Sequence, residues 1–428
     1  MPSTPEPTTA LLAFDREHLW HPYASMSDPT PVYPVASASG VRLRLADGRE
    51  LIDGISSWWA TLHGHGQPDI ARAMAAQAAR LDHVLFAGAT HEGAVRLAER
   101  LVELAPPGLA RVFFSDDGST AVEVAVKMVV QRWAQLGQPE RRVLVALEGG
   151  YHGDTFGAMS VGDPDPFFLP FAPMTFEVRR AALDASAIER ALDELGPRAA
   201  GVILEPLVQG AAGMRMHDAD LLRAVRATCD ARGLPLVADE VMTGFGRTGA
   251  RFACERAGVA PDLMCLAKGL TGGMFPLAAT LATEPIYEAF LSDQRGRAFF
   301  HGHTFTASPI GCAAALASLD VIEREDTPAR LDALGATILG ALEGLAQHPG
   351  VRNLRRCGGI VALDLVRADE APSGYLAQHA LSLRAAAIER GVLLRPLGEV
   401  LYAMPPACTS EEDALTIAAV MRALVELG

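Results

Sequence analysis

The chain has 428 residues, half of them apolar, and a formal net charge of −14. That length suits one large domain plus a smaller one, with enough apolar residues for a sizeable core. Without any block of five or more basic residues, so negative a chain is not expected to bind nucleic acid or anionic membranes.

The first ten residues, Met1–Ala10, are rich in Pro and Thr and read as a flexible tail. Gly40–Asp53 reads as a β-hairpin around Asp47-Gly48, and the first 60 or so residues look separate from the α/β core. Arg111–Ser115 is a short apolar strand, and Asp116–Ser119 turns from it into a helix over Thr120–Leu136. Arg142–Leu147, Ala200–Leu204, Leu234–Ala238 and Leu263–Ala267 are further buried strands, with helices such as Ala187–Leu195 and Asp220–Arg232 between them. That alternation is βαβ and predicts a mostly parallel sheet covered on both faces. After about residue 320 the texture changes to an amphipathic helix (Arg330–Gln347), β-rich stretches (Gly359–Val366, Val392–Tyr402) and a final helix (Ser410–Leu427).

The six cysteines (Cys229, Cys254, Cys265, Cys312, Cys357, Cys408) are scattered without a CxxC pair. They suggest a reduced, cytoplasmic set, neither a disulfide framework nor a zinc site. No charged n-region leads into an apolar h-region, and no apolar stretch approaches about 18 residues, so a soluble chain that is not exported is expected.

Lys268 is the most telling residue. It ends the apolar run Pro261–Ala267, and burial there would push its amine toward a nucleophilic pKa. A second apolar strand, Leu234–Ala238, ends in Asp239. A lysine and an aspartate ending neighbouring strands suit pyridoxal phosphate: the amine forms the Schiff base and the carboxylate keeps the pyridine nitrogen protonated. A buried structural ion pair is the alternative on this spacing.

Four other segments bear on the choice. Ser115–Thr120 joins a strand to a helix N-terminus, a phosphate site or simply a cap. Gly150-Tyr151-His152-Gly153-Asp154 exposes a ring that could stack on a flat cofactor, or is a surface turn. Asp239–Gly249 carries three glycines and Arg247 at the strand edge where ligands of open α/β sheets gather. His301–Thr306 is a polar run; its HxH pair, and the pair His63/His65, lack a third ligand at metal spacing, so no metal site is expected.

Gly118-Ser119, Gly150–Asp154, Asp239–Arg247 and Lys268-Gly269, in this order, resemble the class III pyridoxal phosphate aminotransferases from about Phe14 to the C-terminus. Trp20-His21-Pro22-Tyr23, Ser56-Ser57-Trp58-Trp59 and Gly391–Pro396 are similar to the branch acting in biotin biosynthesis. The resemblance implies a fold-type I homodimer with its active site at the subunit interface. It implies a mostly parallel seven-stranded α/β sheet in a large domain (61–320) and a small α+β domain from both chain ends (11–60 and 321–428).

The implied reaction is transamination of 8-amino-7-oxononanoate to 7,8-diaminononanoate, with S-adenosylmethionine as donor. Lys268 would be catalytic, Asp239 would hold the pyridinium, and Gly118 and Ser119 the phosphate. Thr304 of the partner would close that cup with His303 beside it, and Tyr151 would stack on the ring. Tyr23, Trp58 and Trp59 would wall the acceptor tunnel, and Arg395 would grip the terminal carboxylate. Asp154, Arg247, Gly302 and Tyr402 complete the implied substrate set together with Tyr151. If Trp58-Trp59 is extended, one indole faces the core and the other the pocket, with Trp58 expected in the pocket. Gly302-His303-Thr304 and Gly269–Pro276 lean instead toward a lysine-using branch. The other readings are an ω-amino acid or polyamine aminotransferase and a non-catalytic regulator, the latter without a basic helix-turn-helix stretch here.

Overall fold

A computed structural model describes residues 8–27, 30–366 and 378–427. Among the described residues the large sheet has seven strands: β1 (Leu109–Ser115), β2 (Val143–Leu147), β3 (Val178–Ala181), β4 (Ala199–Leu204), β5 (Leu236–Asp239), β6 (Leu263–Leu266) and β7 (Ala278–Thr283). Their spatial order is β1-β7-β6-β5-β4-β2-β3, and all run parallel except β7, which is antiparallel to both neighbours. Strands β2, β4, β5 and β6 are buried at every position. Their near-continuous apolar runs are what a sheet covered on both faces requires.

The helix Gly118–Gln135 starts where Asp117 accepts the Thr120 N–H and Thr120 answers with its hydroxyl, a capping box. It packs against β6 and β7. Helix Ala219–Arg232 is capped by Asp218 and stops at Gly233, whose left-handed φ of 62° suits glycine. On the other side, helix Pro309–Glu325 packs against Pro68–Arg80 and Glu92–Leu104.

Two strands of the large sheet go beyond the sequence reading. β3 is Val-Arg-Arg-Ala at the sheet edge and β7 is alanine-rich, so neither carries the β-branched run that marks a strand. The two helices between residues 61 and 108 were likewise not anticipated. The stretch Val392–Tyr402 divides into Val392–Leu393 and Val400–Ala403, which join different sheets. The helix expected over Arg330–Gln347 runs over Thr327–Leu342 and tightens into a 3-10 turn at Glu343–Gln347. Within the stretch Met1–Ala10, residues 1–7 lie outside the described residues, and Thr8–Ala10 open a helix, Thr8–His18.

The chain ends meet in one sheet. Arg42–Leu45 and Glu50–Asp53 form the hairpin around Asp47-Gly48, and Val35–Ser39 extends it. Val392–Leu393, from the far end of the chain, adds parallel to Glu50–Asp53, with Leu393 opposite Asp53.

Strand spacing in the large sheet depends on one small residue. A Cβ at Gly201 of β4 would stand 2.6 Å from the Pro235 carbonyl oxygen. Gly201→Ala is expected to cost about 1–3 kcal/mol, seen as a lower Tm with an unchanged far-UV spectrum; an unchanged Tm would mean the neighbouring chain yields freely.

Candidate active site

The carboxyl ends of β1, β2, β4, β5 and β6 open on one cavity of about 670 Å³. Each strand delivers polar residues to it: Gly118 and Ser119 follow β1, Tyr151, His152 and Asp154 follow β2, and Glu205 follows β4. Asp239 ends β5 and Lys268 follows β6. This is the edge where α/β sheets hold ligands, because the strands end there in free loops and helix N-termini.

Asp239 lies opposite Cys265 in the parallel register of β5 and β6, so its carboxylate and the lysine amine share that edge. They do not form an ion pair. Asp239 is held by His152 Nδ1 at 2.7 Å and by the Val241 N–H at 3.1 Å. Lys268 has a left-handed φ of 46°, and its Nζ lies 4.9 Å from the centre of the Trp59 indole. Among the described residues Nζ has no hydrogen-bond or salt-bridge partner. The structural ion pair considered from sequence is therefore absent from the described residues.

Burial lowers the Lys268 pKa from the ordinary lysine value, against the pull of Asp239 and Glu205. Burial also opposes charge on His152, but the Asp239 carboxylate outweighs it and raises the imidazole pKa. Glu205 is pushed by burial up to about 7, although it accepts N–H groups from Tyr151 at 3.1 Å and Gly210 at 2.9 Å.

The turn after β1 can hold an anion. The N–H groups of Gly118 and Ser119 open the helix Gly118–Gln135 and find no acceptor among the described residues. A Cβ at Gly118 would meet Val241 at 2.5 Å, and one at Gly153 would run into the Ser119 hydroxyl, so both glycines permit the tight cradle. Ser119 Oγ accepts the Thr155 N–H at 3.0 Å.

An adjoining chamber of about 480 Å³ shares Trp59, Tyr151, Asp154 and Lys268 and adds Tyr23, Trp58 and Phe167. The Tyr23 hydroxyl donates to Asp154 at 2.6 Å, and the Tyr151 hydroxyl donates to its other oxygen at 3.0 Å. Arg395 lies behind this wall, its guanidinium 4.1 Å from the Trp58 ring centre and 5.9 Å from that of Tyr23.

The Trp58-Trp59 segment is not extended. Ser56–Trp59 is a left-handed turn, and both indoles reach the chamber: Trp58 is 38% exposed and Trp59 5%. Trp58 lines the pocket as expected and Trp59 packs in the core, but Trp59 also lines the chamber, because the turn is left-handed and its side chains do not alternate as on a strand.

Four residues expected at the substrate, Arg247, Gly302, Arg395 and Tyr402, line neither chamber, nor does Thr304, expected at the phosphate of the partner's site. Arg247 is buried, donates to the carbonyls of Pro405, Trp59 and Thr61, and is lowered by desolvation to about 10. It fastens the backbone behind the cavity and does not line it. Tyr402 is also fully buried, accepting the Trp59 indole N–H at 2.9 Å. Gly302 and Thr304 are exposed and line neither chamber of this chain. His303 comes nearer, with Nδ1 3.4 Å from Asp116, a cavity-lining residue. The histidine pairs have other partners: His63 meets Ser318 and His65 meets Asp53. No group of three His, Cys, Asp or Glu side chains is placed to hold a metal among the described residues.

His152 and Glu205 are the residues that sequence reasoning left without a role. Glu205 carried a usable signal: like Asp239 and Lys268, it is a charged residue directly after an apolar strand. His152 sat inside a singled-out motif, but only its fold-dependent contact with Asp239 reveals its place.

Residues 23–425 match the class-III aminotransferase family. An adenosylmethionine-8-amino-7-oxononanoate aminotransferase from Synechococcus elongatus is 51% identical, with 96% of this chain and 98% of that protein covered. The enzyme of that name from Mycobacterium leprae is 41% identical, covering 99% of this chain and 97% of its own. Among solved structures, the adenosylmethionine-8-amino-7-oxononanoate aminotransferase of Methanocaldococcus jannaschii superposes with a TM-score of 0.94 at 32% identity, over 99% of this chain and all of that one. A PLP-bound amine transaminase from an uncultivated Pseudomonas species gives 0.89 at 33% identity, over 96% of this chain and 98% of that one. Matched over residues 23–425 by that family and over nearly its whole length by relatives of 41–51% identity, the chain belongs to the class III aminotransferases.

Proposed function

We propose that this chain binds pyridoxal 5'-phosphate and transfers an amino group from S-adenosylmethionine to 8-amino-7-oxononanoate, yielding 7,8-diaminononanoate. The observation that carries the reading is the unpaired Lys268 amine, open to a cavity whose other polar groups suit that cofactor. The names of the full-length relatives support the same substrates. When bound, pyridoxal phosphate carries the amino group between donor and acceptor and withdraws electrons from the reacting carbon.

Each residue would have a separate task. Gly118 and Ser119 bind the phosphate with backbone N–H groups at the positive end of their helix. Asp239, steadied by His152, keeps a proton on the pyridine nitrogen. Lys268 would hold the cofactor through its amine and move a proton to and from the substrate carbon, and its lowered pKa favours the neutral amine. Tyr151 lies against the ring. Tyr23, Trp58 and Trp59 close an apolar path for the aliphatic acceptor, and Arg395 meets its terminal carboxylate.

A second copy would complete the site, bringing Thr304 and Gly302 to the phosphate. Exposed Phe300 and Phe305 beside Thr304 support a homodimer, as does an apolar groove of about 910 Å³ walled by Phe86, Val102, Phe113 and Phe299. The aromatic set favours the adenosyl donor, since Tyr23 and Trp58 offer flat surface beside hydrogen-bonding Asp154. Gly302-His303-Thr304 is the observation on the side of lysine, but His303 faces Asp116 at the phosphate turn, away from the donor's side chain.

Lys268→Ala is expected to abolish turnover, losing several orders of magnitude with the proton carrier; near-normal activity in that variant would remove Lys268 from the mechanism. Arg395→Ala should raise KM for the keto-acid acceptor far more than for the donor, a loss of about 2–5 kcal/mol. Equal weakening of both half-reactions would make Arg395 structural or common to both substrates. In single turnovers with each donor added separately, bleaching of the cofactor's yellow band should be fast with S-adenosylmethionine. Fast bleaching by lysine alone would overturn the donor assignment.

A further inference from the structure

Four successive residues with side chains, Ser56, Ser57, Trp58 and Trp59, have positive φ values of 51°, 43°, 72° and 73°. The turn closes on itself through Trp59 N to Ile55 O at 2.9 Å and Ala60 N to Ser56 O at 3.0 Å. L-residues resist this hand because Cβ crowds the following carbonyl. Such backbone persists only where its surroundings over-determine it, and it gathers at functional sites.

Asp53 is the group that over-determines it. Its carboxylate is fully buried at the end of the strand Glu50–Asp53 and lines neither chamber. One oxygen accepts the N–H groups of Ile55 at 3.2 Å and Ser57 at 2.9 Å. The other accepts the Ser57 hydroxyl at 2.7 Å and lies 2.9 Å from His65 Nε2. From the opposite side the Ser56 hydroxyl donates to Met404 O at 2.8 Å, and Arg247 reaches Trp59 O at 3.4 Å. Three of the four contacts of Asp53 thus hold the turn directly, and the left-handed path brings both indoles to the chamber, Trp59 beside Lys268 and Trp58 between Tyr23 and Arg395.

We propose that Asp53 is a positioning residue for substrate selection: by holding this turn in its disfavoured hand it sets where Trp58 and Trp59 stand. The consequence for substrates rests on the proposed function; the consequence for the indoles does not.

The test uses the holoenzyme in a Trp20→Phe background, because Trp20 is 82% exposed and would mask the others. Acrylamide quenching of the indoles is measured without substrate, and KM and kcat with 8-amino-7-oxononanoate. Asp53→Ala should make a buried indole quenchable and raise KM at least about tenfold, with kcat changed much less. Adding Ser57→Gly, which removes one Cβ from the left-handed path, should lessen both effects. Asp53→Asn keeps an acceptor for the two N–H groups and should fall between wild type and alanine; it decides the matter if the alanine variant does not fold. Unchanged quenching and KM, a loss in kcat with no rise in KM, or no relief from Ser57→Gly would overturn the proposal. A wild-type enzyme inactive on this acceptor would defeat the functional reading alone, and the quenching series would still decide the role of Asp53.

Discussion

The 2.7 Å contact between His152 and Asp239 gives the buried carboxylate at the end of β5 a partner other than the lysine amine. A buried carboxylate is tolerated only where it is paired and hydrogen-bonded. With Asp239 engaged by His152 and the Val241 N–H, the Lys268 amine is left desolvated and open to the cavity, and desolvation favours its neutral form. A buried imidazole is costly to charge, yet the carboxylate reverses that balance and raises the His152 pKa.

The sheet order brings these groups together. The six parallel strands end at one edge, and four of them place a charged residue at the cavity: Asp116, Glu205, Asp239 and Lys268 lie at or just after those ends. The apolar runs supply the burial that makes the edge residues costly, and the cavity gives them something to do. Glycines at 118 and 153 let the turn after β1, the Val241 side chain and the Tyr151 loop approach each other more closely than a Cβ would allow.

The second chamber is built differently. One of its walls comes from the small-sheet end of the chain, where Glu50–Asp53 pairs with Val392–Leu393 and so connects the Trp58-Trp59 turn to Arg395 through one short parallel ladder. Arg247 and Tyr402, expected among substrate contacts, support that wall from behind by holding the Trp59 carbonyl and indole. Side chains outside the chamber's lining thus help to set its shape.

The sequence alone determined the α/β class, the parallel strands, and the roles open to Lys268 and Asp239, because apolar runs and the charges that end them are local features of the chain. It also carried the glycine-serine turn and the aromatic segments, whose residue types identify the family. Strands β3 and β7 were not legible, since an edge strand and an alanine-rich strand acquire their conformation from neighbours rather than from propensity. Only the tertiary structure decided which partner Asp239 takes, that Arg247 is a backbone clamp, and that Trp58 and Trp59 reach one chamber through a left-handed turn. Each of these depends on groups tens to hundreds of residues apart, such as Trp59 and Tyr402, or His152 and Asp239. Periodicity reports which face of an element is apolar; it holds no information about which buried polar group finds which, and that pairing made the site.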